Sequence, residues 1–272
     1  MKLKYLGTAA YEGVPSLFCN CRVCRLSQKL GGRNIRSRSQ ALVNGELLLD
    51  FNADTVRHYQ QYGFDWENIC GCLITHSHCD HLYPEDIEIA APWYTHEHRT
   101  INFYAAESGY EKIKAVAGKI ESGVSATLIC AGKRFKAGKY SVLPLPANHS
   151  ADTSPVIYSI TCGKKRMLYA HDTGVFTQKA REGLVSEGYF NLVSLDCTGC
   201  LGQNGDWRDG HMSLKTNLEM IEFMREEKLI DDKTVIVVNH FSHNGGQIYE
   251  EMLAEAAKHN IIVAYDGLEI EF

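Results

Sequence analysis

The 272-residue sequence predicts a layered α/β sandwich, and three observations carry that expectation. Strand-like and helix-like segments alternate along its whole length. No Pro/Gly/Ser linker, repeat or low-complexity tract separates them. Several apolar runs also end in short loops that carry histidine or aspartate. Layered α/β folds of about 200 to 250 residues commonly form one domain, so residues 1–272 are expected to be one.

In chain order, the strand candidates of the first half are 2–6, 39–44, 46–50 and 70–75, each a short run of alternating or continuous apolar residues. Helical periodicity covers 53–62, 84–91 and 109–119. The second half continues with strands at 140–145, 156–162, 166–170, 192–196, 234–239 and 261–264, and with helices at 213–228 and 247–259. The run ending at Thr75 leads into His76, 140–145 leads to His149, 166–170 leads into His171 and Asp172, and 234–239 leads into His240. Open α/β sheets bind ligands outside the carboxyl ends of strands, so these four loops are expected to share one pocket.

Composition narrows the partners. Hydrophobic residues make up 44% and charged residues 22%, ordinary globular usage. The formal net charge is -5 and basic residues are scattered, which disfavours DNA and long RNA. The opening Met1-Lys2-Leu3-Lys4-Tyr5-Leu6-Gly7 lacks the apolar run of a signal peptide, and no stretch approaches the roughly 20 apolar residues of a membrane span. A cytoplasmic location follows as an expectation, with no membrane partner. Ten cysteines in such a chain are read as reduced or metal-bound rather than disulfide-linked. A homodimer is compatible with the sequence, which does not set the oligomeric state.

The segment His76-Ser77-His78-Cys79-Asp80-His81 holds three histidines and an aspartate within six positions. In an extended loop, residues two apart point the same way, so His76 and His78 can chelate one ion while Asp80 and His81 turn toward a second. Imidazole with carboxylate suits zinc, manganese or iron. Read alone, Asp172 is equally a turn residue, His149 a surface histidine and His240 a core polar group.

His76, His78, Asp80 and His81 match the His-x-His-x-Asp-His signature of the metallo-β-lactamase superfamily, which the chain resembles from Leu6-Gly7-Thr8 through Leu49-Asp50, His149, His171-Asp172-Thr173-Gly174 and His240. That resemblance implies a four-layer αββα metallo-β-lactamase sandwich with two catalytic divalent ions. It places His76, His78 and His149 on one ion and Asp80, His81 and His240 on the other, bridged by Asp172, with Asp80 also counted as catalytic. Two divalent ions bring four positive charges, which Asp80 and Asp172 half cancel, so a small anionic substrate such as a phosphodiester is expected. Water between two such ions has its pKa lowered toward about 7, and attack on phosphorus or a carbonyl then needs no side-chain nucleophile.

A second cluster, Cys19-Asn20-Cys21-Arg22-Val23-Cys24, lies in a Gly/Pro-containing segment spanning about 16–38. Three thiols wrap a tetrahedral zinc but leave it one ligand short. His243 is the best fourth ligand, because it follows His240 by three residues and can face away from the catalytic ions. A closed Cys3His site is structural and would pin this small zinc-knuckle loop beside the pocket. Cys197 and Cys200 read as reduced thiols with no assigned role.

The knuckle together with His240-x-x-His243 resembles the phosphoribosyl cyclic phosphodiesterases of the carbon–phosphorus lyase pathway, which open a 1,2-cyclic phosphate on ribose 5-phosphate. The implied activity is binuclear phosphodiester hydrolysis. Opening the ring creates an alkoxide leaving group that a general acid would protonate. His211, in the polar loop before the helix at 213, is expected to be that acid. Arg33, Arg36 and Arg38 either contact a second phosphate through charge-assisted bonds or form a solvated loop. His171 is expected beside the site or in the core, and His58, His96, His98 and His259 are left without roles. The competing readings are a tRNA 3'-processing-like or cyclic-nucleotide phosphodiesterase, a lactonase or thioesterase, and a noncatalytic metal-binding accessory protein.

Overall fold

A computed structural model describes residues 1–97, 99–120 and 123–272, so His98 lies outside the described residues. Its strands are β1 (Lys2–Gly7), β2 (Gln40–Val43), β3 (Leu47–Leu49), β4 (Gly71–Leu73), β5 (Ile101–Ala105), β6 (Val124–Leu128), β7 (Phe135–Ala137), β8 (Tyr140–Pro146), β9 (Val156–Cys162), β10 (Lys165–Ala170), β11 (Leu192–Asp196), β12 (Val235–Asn239), β13 (Ile262–Val263) and β14 (Glu269–Glu271). The α-helices are α1 (Arg22–Leu30), α2 (Thr55–Tyr62), α3 (Glu107–Ala117), α4 (Gln178–Glu187), α5 (Leu214–Glu226) and α6 (Tyr249–Ala256).

The strands form two seven-stranded sheets, ordered β14-β1-β2-β3-β4-β5-β6 and β13-β12-β11-β10-β9-β8-β7. Alternation along each strand explains how they stack. Successive side chains point to opposite faces, and here both faces are buried. Leu3 and Tyr5 of β1, Leu47 and Leu49 of β3, Tyr158 and Ile160 of β9, Met167 and Tyr169 of β10 and Val237 of β12 fill the space between the sheets. The opposite faces carry Leu6, Leu42, Leu48 and Cys72 under α3 (Ile113), and Leu168, Val193, Leu195 and Val238 under α4, α5 and α6 (Leu184, Met220, Met224, Met252). The layers therefore run helix, sheet, sheet, helix. Polar contacts also cross the middle, where the Tyr5 hydroxyl meets Ser194 Oγ at 2.7 Å and the Tyr158 hydroxyl donates to the Ile74 carbonyl, since a buried hydroxyl needs a partner.

Strand direction gathers the loops. In the first sheet β3 and β4 are parallel, and in the second β10, β11 and β12 are parallel. β8 is antiparallel to β9, which is antiparallel to β10, so β8 runs with β10. The carboxyl ends of β8, β10, β11 and β12 consequently share one edge.

Four strands carried no clear sequence signal: β5, β6, β7 and β14, of which β7 and β14 are three residues long. Two helices were also unexpected. α1 buries Val23, Cys24 and Ser27, so thiol and hydroxyl stand where aliphatic residues would have shown its periodicity. α4 is capped by the Thr177 side chain but has Gly183 in its middle. The helical pattern at 84–91 folds as a 3-10 turn, Pro84–Ala90. Among the described residues, no helix is long and apolar enough to cross a membrane.

Candidate metal centre

His76, His78 and His149 converge from the loops after β4 and β8. His78 Nδ1 lies 2.9 Å from His76 Nε2 and 3.1 Å from His149 Nε2. Beside them Asp80, His81, Asp172 and His240 form a second group of donors. His81 Nε2 and His240 Nε2 are 3.2 Å apart, and Asp172 Oδ2 lies 2.7 Å from the first and 2.8 Å from the second. Asp80 Oδ2 stands 3.4 Å from His81 Nε2. The other oxygen of Asp172, Oδ1, faces the first group, 3.7 Å from His149 Nε2 and 4.0 Å from His76 Nε2. One carboxylate thus turns an oxygen to each cluster.

The second ring nitrogens of His76, His81, His149 and His240 are committed to other partners, which sets their tautomers. His81 Nδ1 donates to Asp50 Oδ2 at 2.7 Å, and His149 Nδ1 donates to the Gly210 carbonyl at 2.9 Å. His240 Nδ1 meets Thr198 Oγ1 at 2.9 Å. The Thr75 hydroxyl donates to Asp50 Oδ1 and lies 3.1 Å from His76 Nδ1. Lone pairs of His76, His149, His81 and His240 are left pointing inward at Nε2.

Two observations show that this donor set fits divalent cations. Despite its proximity to two imidazoles, Asp172 Oδ2 is buried with no hydrogen-bond partner, because the ring nitrogens converge beside it rather than aim N–H bonds at it. The protonation balance points the same way. Burial opposes a charged His81, yet the carboxylates of Asp172, Asp50 and Asp80 outweigh it and raise its pKa well above the usual value. Burial likewise opposes charge on His240, and Asp172, Asp196 and Asp80 raise it. For Asp172, burial favours the neutral acid, but His240 and His81 hold it well below the ordinary carboxylate range. The carboxylates around His81 and His240 therefore favour positive charge at the positions of these two rings.

Behind the centre stands Asp196, at the end of β11 and fully buried. Its Oδ1 accepts from the amides of Thr198 (3.0 Å) and Met212 (2.9 Å), and its Oδ2 accepts from the Asp172 amide (3.0 Å) and His211 Nδ1 (3.1 Å). Burial lowers the His211 pKa, but the Asp196 carboxylate outweighs it and raises it. His211 and His240 stack with ring centroids 5.7 Å apart. His78, Asp80, His149, Asp172, His211 and His240 line a cavity of about 450 Å³ whose other walls include Tyr11, Glu12, Trp207, Ser242 and Asn244. A larger groove of about 620 Å³, lined by Val56, Tyr59, Trp66 and Ile89, lies elsewhere and includes none of the metal-facing side chains.

The knuckle residues also meet. Cys19, Cys21, Cys24 and His243 bring their donor atoms within 4.8 Å of one another. His243 Nδ1 is 3.5 Å from Cys21 Sγ and 3.6 Å from Cys19 Sγ, and the amides of Ser16 and Cys24 donate to Cys24 Sγ and Cys21 Sγ. Burial pushes the Cys21 thiol up, but the Cys24 amide and the His243 ring outweigh it and bring it down to about 6. Sulfur atoms that accept amide hydrogens suit a zinc site, and here the readily ionised thiol is Cys21, while burial pushes the neighbouring Cys24 thiol up to about 12.

Arg36 contradicts both readings of the arginines, whereas Arg33 is exposed. Arg36 is buried, donating to Thr8 Oγ1 (2.9 Å) and the Ala264 carbonyl (2.7 Å), and so is neither solvated nor open to a substrate. Arg33 stacks over Tyr265 with its guanidinium 4.2 Å from the ring centroid, and Arg38 bonds the Tyr11 carbonyl and pairs with Asp54. None of the three lines the catalytic cavity. His171 sits in the core, 2.8 Å from Ser194 Oγ. His58, on α2, is buried between Ser37 and Gln40. Cys197 and Cys200 are buried free thiols.

Asp196, Thr198, Glu12 and Trp207 were not singled out from sequence. Asp196 carried a legible signal, since Leu195-Asp196 ends a strand just as Leu49-Asp50 does.

A double-sheet sandwich with two such donor clusters at one edge defines a metal-dependent hydrolase. Comparison with known proteins gives the family: the beta-lactamase superfamily domain matches residues 50–231, and the chain belongs to that superfamily, in its metallo-β-lactamase branch. Among solved structures it is similar to a diphosphatase from the PhnP family (22% identity, 100% of this chain and 97% of that one, TM-score 0.74). It is also similar to Zn(2+)-bound PqqB from Methylobacterium extorquens (19% identity, 100% of both chains, TM-score 0.77). Human tRNase Z, short form, aligns at 16% identity over 100% of this chain and 99% of that one, TM-score 0.67. An octanoyltransferase of Porphyromonas gingivalis (strain ATCC BAA-308 / W83) is 28% identical over 118 residues, 42% of this chain, and the match covers 22% of that protein.

Proposed function

We propose that the protein is a binuclear metal-dependent phosphodiesterase acting on a small cyclic phosphodiester. His76, His78 and His149 would hold one divalent ion, zinc, manganese or iron, and Asp80, His81 and His240 the other, with Asp172 shared. When bound, two such ions supply Lewis-acid polarisation of a phosphoryl oxygen and activation of water at neutral pH. The chain's own residues do the rest. Asp50, Thr75, Thr198 and the Gly210 carbonyl fix the ring orientations. Asp196 holds His211 through Nδ1 and favours its charged form, leaving Nε2–H as the proton source for an alkoxide leaving group.

The charge balance carries the choice of a phosphodiester. Four buried carboxylates, Asp50, Asp80, Asp172 and Asp196, surround the centre and match the four positive charges of two divalent ions. The surplus of two positive charges expected from Asp80 and Asp172 alone disappears. A protonated His211 then supplies a positive charge complementary to the single negative charge of a phosphodiester, while the Glu12 carboxylate in the cavity wall is taken up by Ser242 and His243. Phosphoribosyl 1,2-cyclic phosphate offers such a diester, although its 5-phosphate would meet no lysine or arginine among the described cavity-lining residues. The relatives named for diphosphatase and tRNase Z activity are compatible with phosphorus chemistry on this scaffold.

The test is turnover of a panel by protein reconstituted with each metal: ribose 1,2-cyclic phosphate with and without its 5-phosphate, cyclic nucleotides, linear phosphodiesters and lactones. Highest kcat/KM on a cyclic phosphodiester is expected. Preference for lactones over every phosphate ester would overturn the proposal, and full metal occupancy without hydrolysis of any ester would remove the enzyme reading altogether.

A further inference from the structure

The turn Tyr11–Gly13 is held between the catalytic cavity and the knuckle. The Ala10 amide donates to the Phe241 carbonyl at 3.0 Å, and the Val14 amide donates to the Arg36 carbonyl at 3.0 Å, so the turn between them is fixed at both ends. Glu12 lies in it, with a side chain 24% exposed that forms part of the cavity wall. Its Oε1 accepts a hydrogen bond from Ser242 Oγ. The Ser242 hydroxyl in turn accepts from the Asn244 amide at 3.0 Å and so caps the 3-10 turn His243–Gly245. The same Oε1 lies 3.6 Å from His243 Nε2, while His243 Nδ1 faces Cys19 and Cys21.

We propose that Glu12 is a positioning residue shared by the two metal regions. Its carboxylate attracts the proton of His243 to Nε2 and steadies the turn that carries the ring, which leaves Nδ1 unprotonated toward the three thiols. A histidine that ligates through one nitrogen characteristically gives the other to a carboxylate, carbonyl or water, and removing that partner weakens metal affinity about 10–100-fold. Glu12 with Ser242 and Asn244 also shapes one wall of the catalytic cavity. Filling of the knuckle therefore sets the shape of the wall a substrate meets, although no knuckle residue reaches the catalytic donors. The knuckle is thereby a determinant of substrate fit as well as a loop pin.

Zinc-loaded full-length protein tests this with Glu12→Ala and Glu12→Gln. Zinc release to a chromogenic chelator is followed without substrate, and the knuckle phase is identified as the one absent from Cys24→Ser. In Glu12→Ala that phase accelerates about 10–100-fold while release of the catalytic ions keeps its wild-type rate. Glu12→Gln, which still accepts from Ser242 but lacks the charge, falls between and serves if the alanine variant does not fold. With ribose 1,2-cyclic phosphate as substrate, the change falls on KM rather than kcat. Selective removal of knuckle zinc from the wild type produces the same KM rise. A wild-type release rate in both variants overturns the proposal, as does a KM rise without faster release, which would make Glu12 a substrate contact only. The KM arm rests on the phosphodiesterase reading and the release arm does not, so failure of that reading shows as absent turnover with the release result intact.

Discussion

Replacing Asp196 with asparagine tests the support behind the catalytic centre. Asp196 Oδ1 accepts two amide hydrogens and Oδ2 accepts the Asp172 amide and His211 Nδ1, all at 2.9 to 3.1 Å. An amide in either orientation sets an NH2 against two of these donors. Each buried donor left without an acceptor costs about 1–3 kcal/mol, so Asp196→Asn is expected to lower stability by about 2–6 kcal/mol. The catalytic loss has a separate cause. The carboxylate raises the His211 pKa against the effect of burial, so its removal leaves burial unopposed and lowers that pKa. A general acid works only while protonated, and the alkaline limb of the kcat–pH profile should move to lower pH. Turnover should fall by about 10²–10⁴-fold at neutral pH, the usual contribution of general acid catalysis. The assay is kcat against pH on a cyclic phosphodiester, with metal content measured on the same samples. Wild-type turnover with an unmoved alkaline limb would refute the link between Asp196 and His211.

Other substitutions separate the remaining roles. His211→Ala should reduce kcat by about 10²–10⁴-fold with catalytic metal content unchanged, and metal loss instead would reassign His211 as a ligand. Arg36→Met should cost about 2–5 kcal/mol in urea denaturation, since it strands the Ala264 carbonyl and leaves the buried Asp266 without the cation that faces it. It should leave unchanged the ratio of KM values for substrates with and without a second phosphate, and a selective rise for the phosphorylated one would restore Arg36 as a substrate contact. His58 is buried, and burial lowers its pKa from 6.5 to about 4. The unfolded chain then binds the extra proton first, so stability is complete above pH 6.5 and declines as pH falls toward 4. The decline amounts to about 3 kcal/mol in total. Urea midpoints of the wild type and His58→Asn, compared at neutral and acidic pH, should converge as pH falls, and parallel curves would contradict a buried neutral imidazole.

Legibility of the site in the sequence followed its compactness along the chain. His76 to His81 sit within one loop, and their spacing alone brought imidazole and carboxylate together. Asp172 and His240 lie 91 and 159 positions beyond His81, the end of that loop, and only family order or strand direction joins them. Support residues were harder to see because their chemistry is ordinary. Asp196 and Thr198 are an acid and a hydroxyl in a loop, and what distinguishes them is burial at 0% and 5% exposure. The arginines misled for the opposite reason. Arg36 carries charge that reads as surface or substrate binding, while its guanidinium is wrapped by Phe241, Thr8 and the Ala264 carbonyl. Short strands such as β7 and β14 are held by pairing with neighbours rather than by a pattern of their own.

The strand ends also show how the fold turns side chains inward. Asp50, Asp172 and His240 adopt positive φ values of 68°, 50° and 63°, and each follows a strand by one or two residues. Aspartate and histidine visit this left-handed region more readily than most residues, but it remains unfavourable, by about 1–2 kcal/mol per residue. The left-handed conformation interrupts the extended run at each strand end, where these side chains meet the histidines of the two clusters. Strain and buried charge are therefore concentrated in the same residues. Carboxylates alone would repel one another there, and the interaction that offsets both costs is attraction to cations, supplied by protonated histidines or by bound metal. The edge of the sandwich is thus built as a site whose least favourable backbone and electrostatics are relieved together by the ions its chemistry uses.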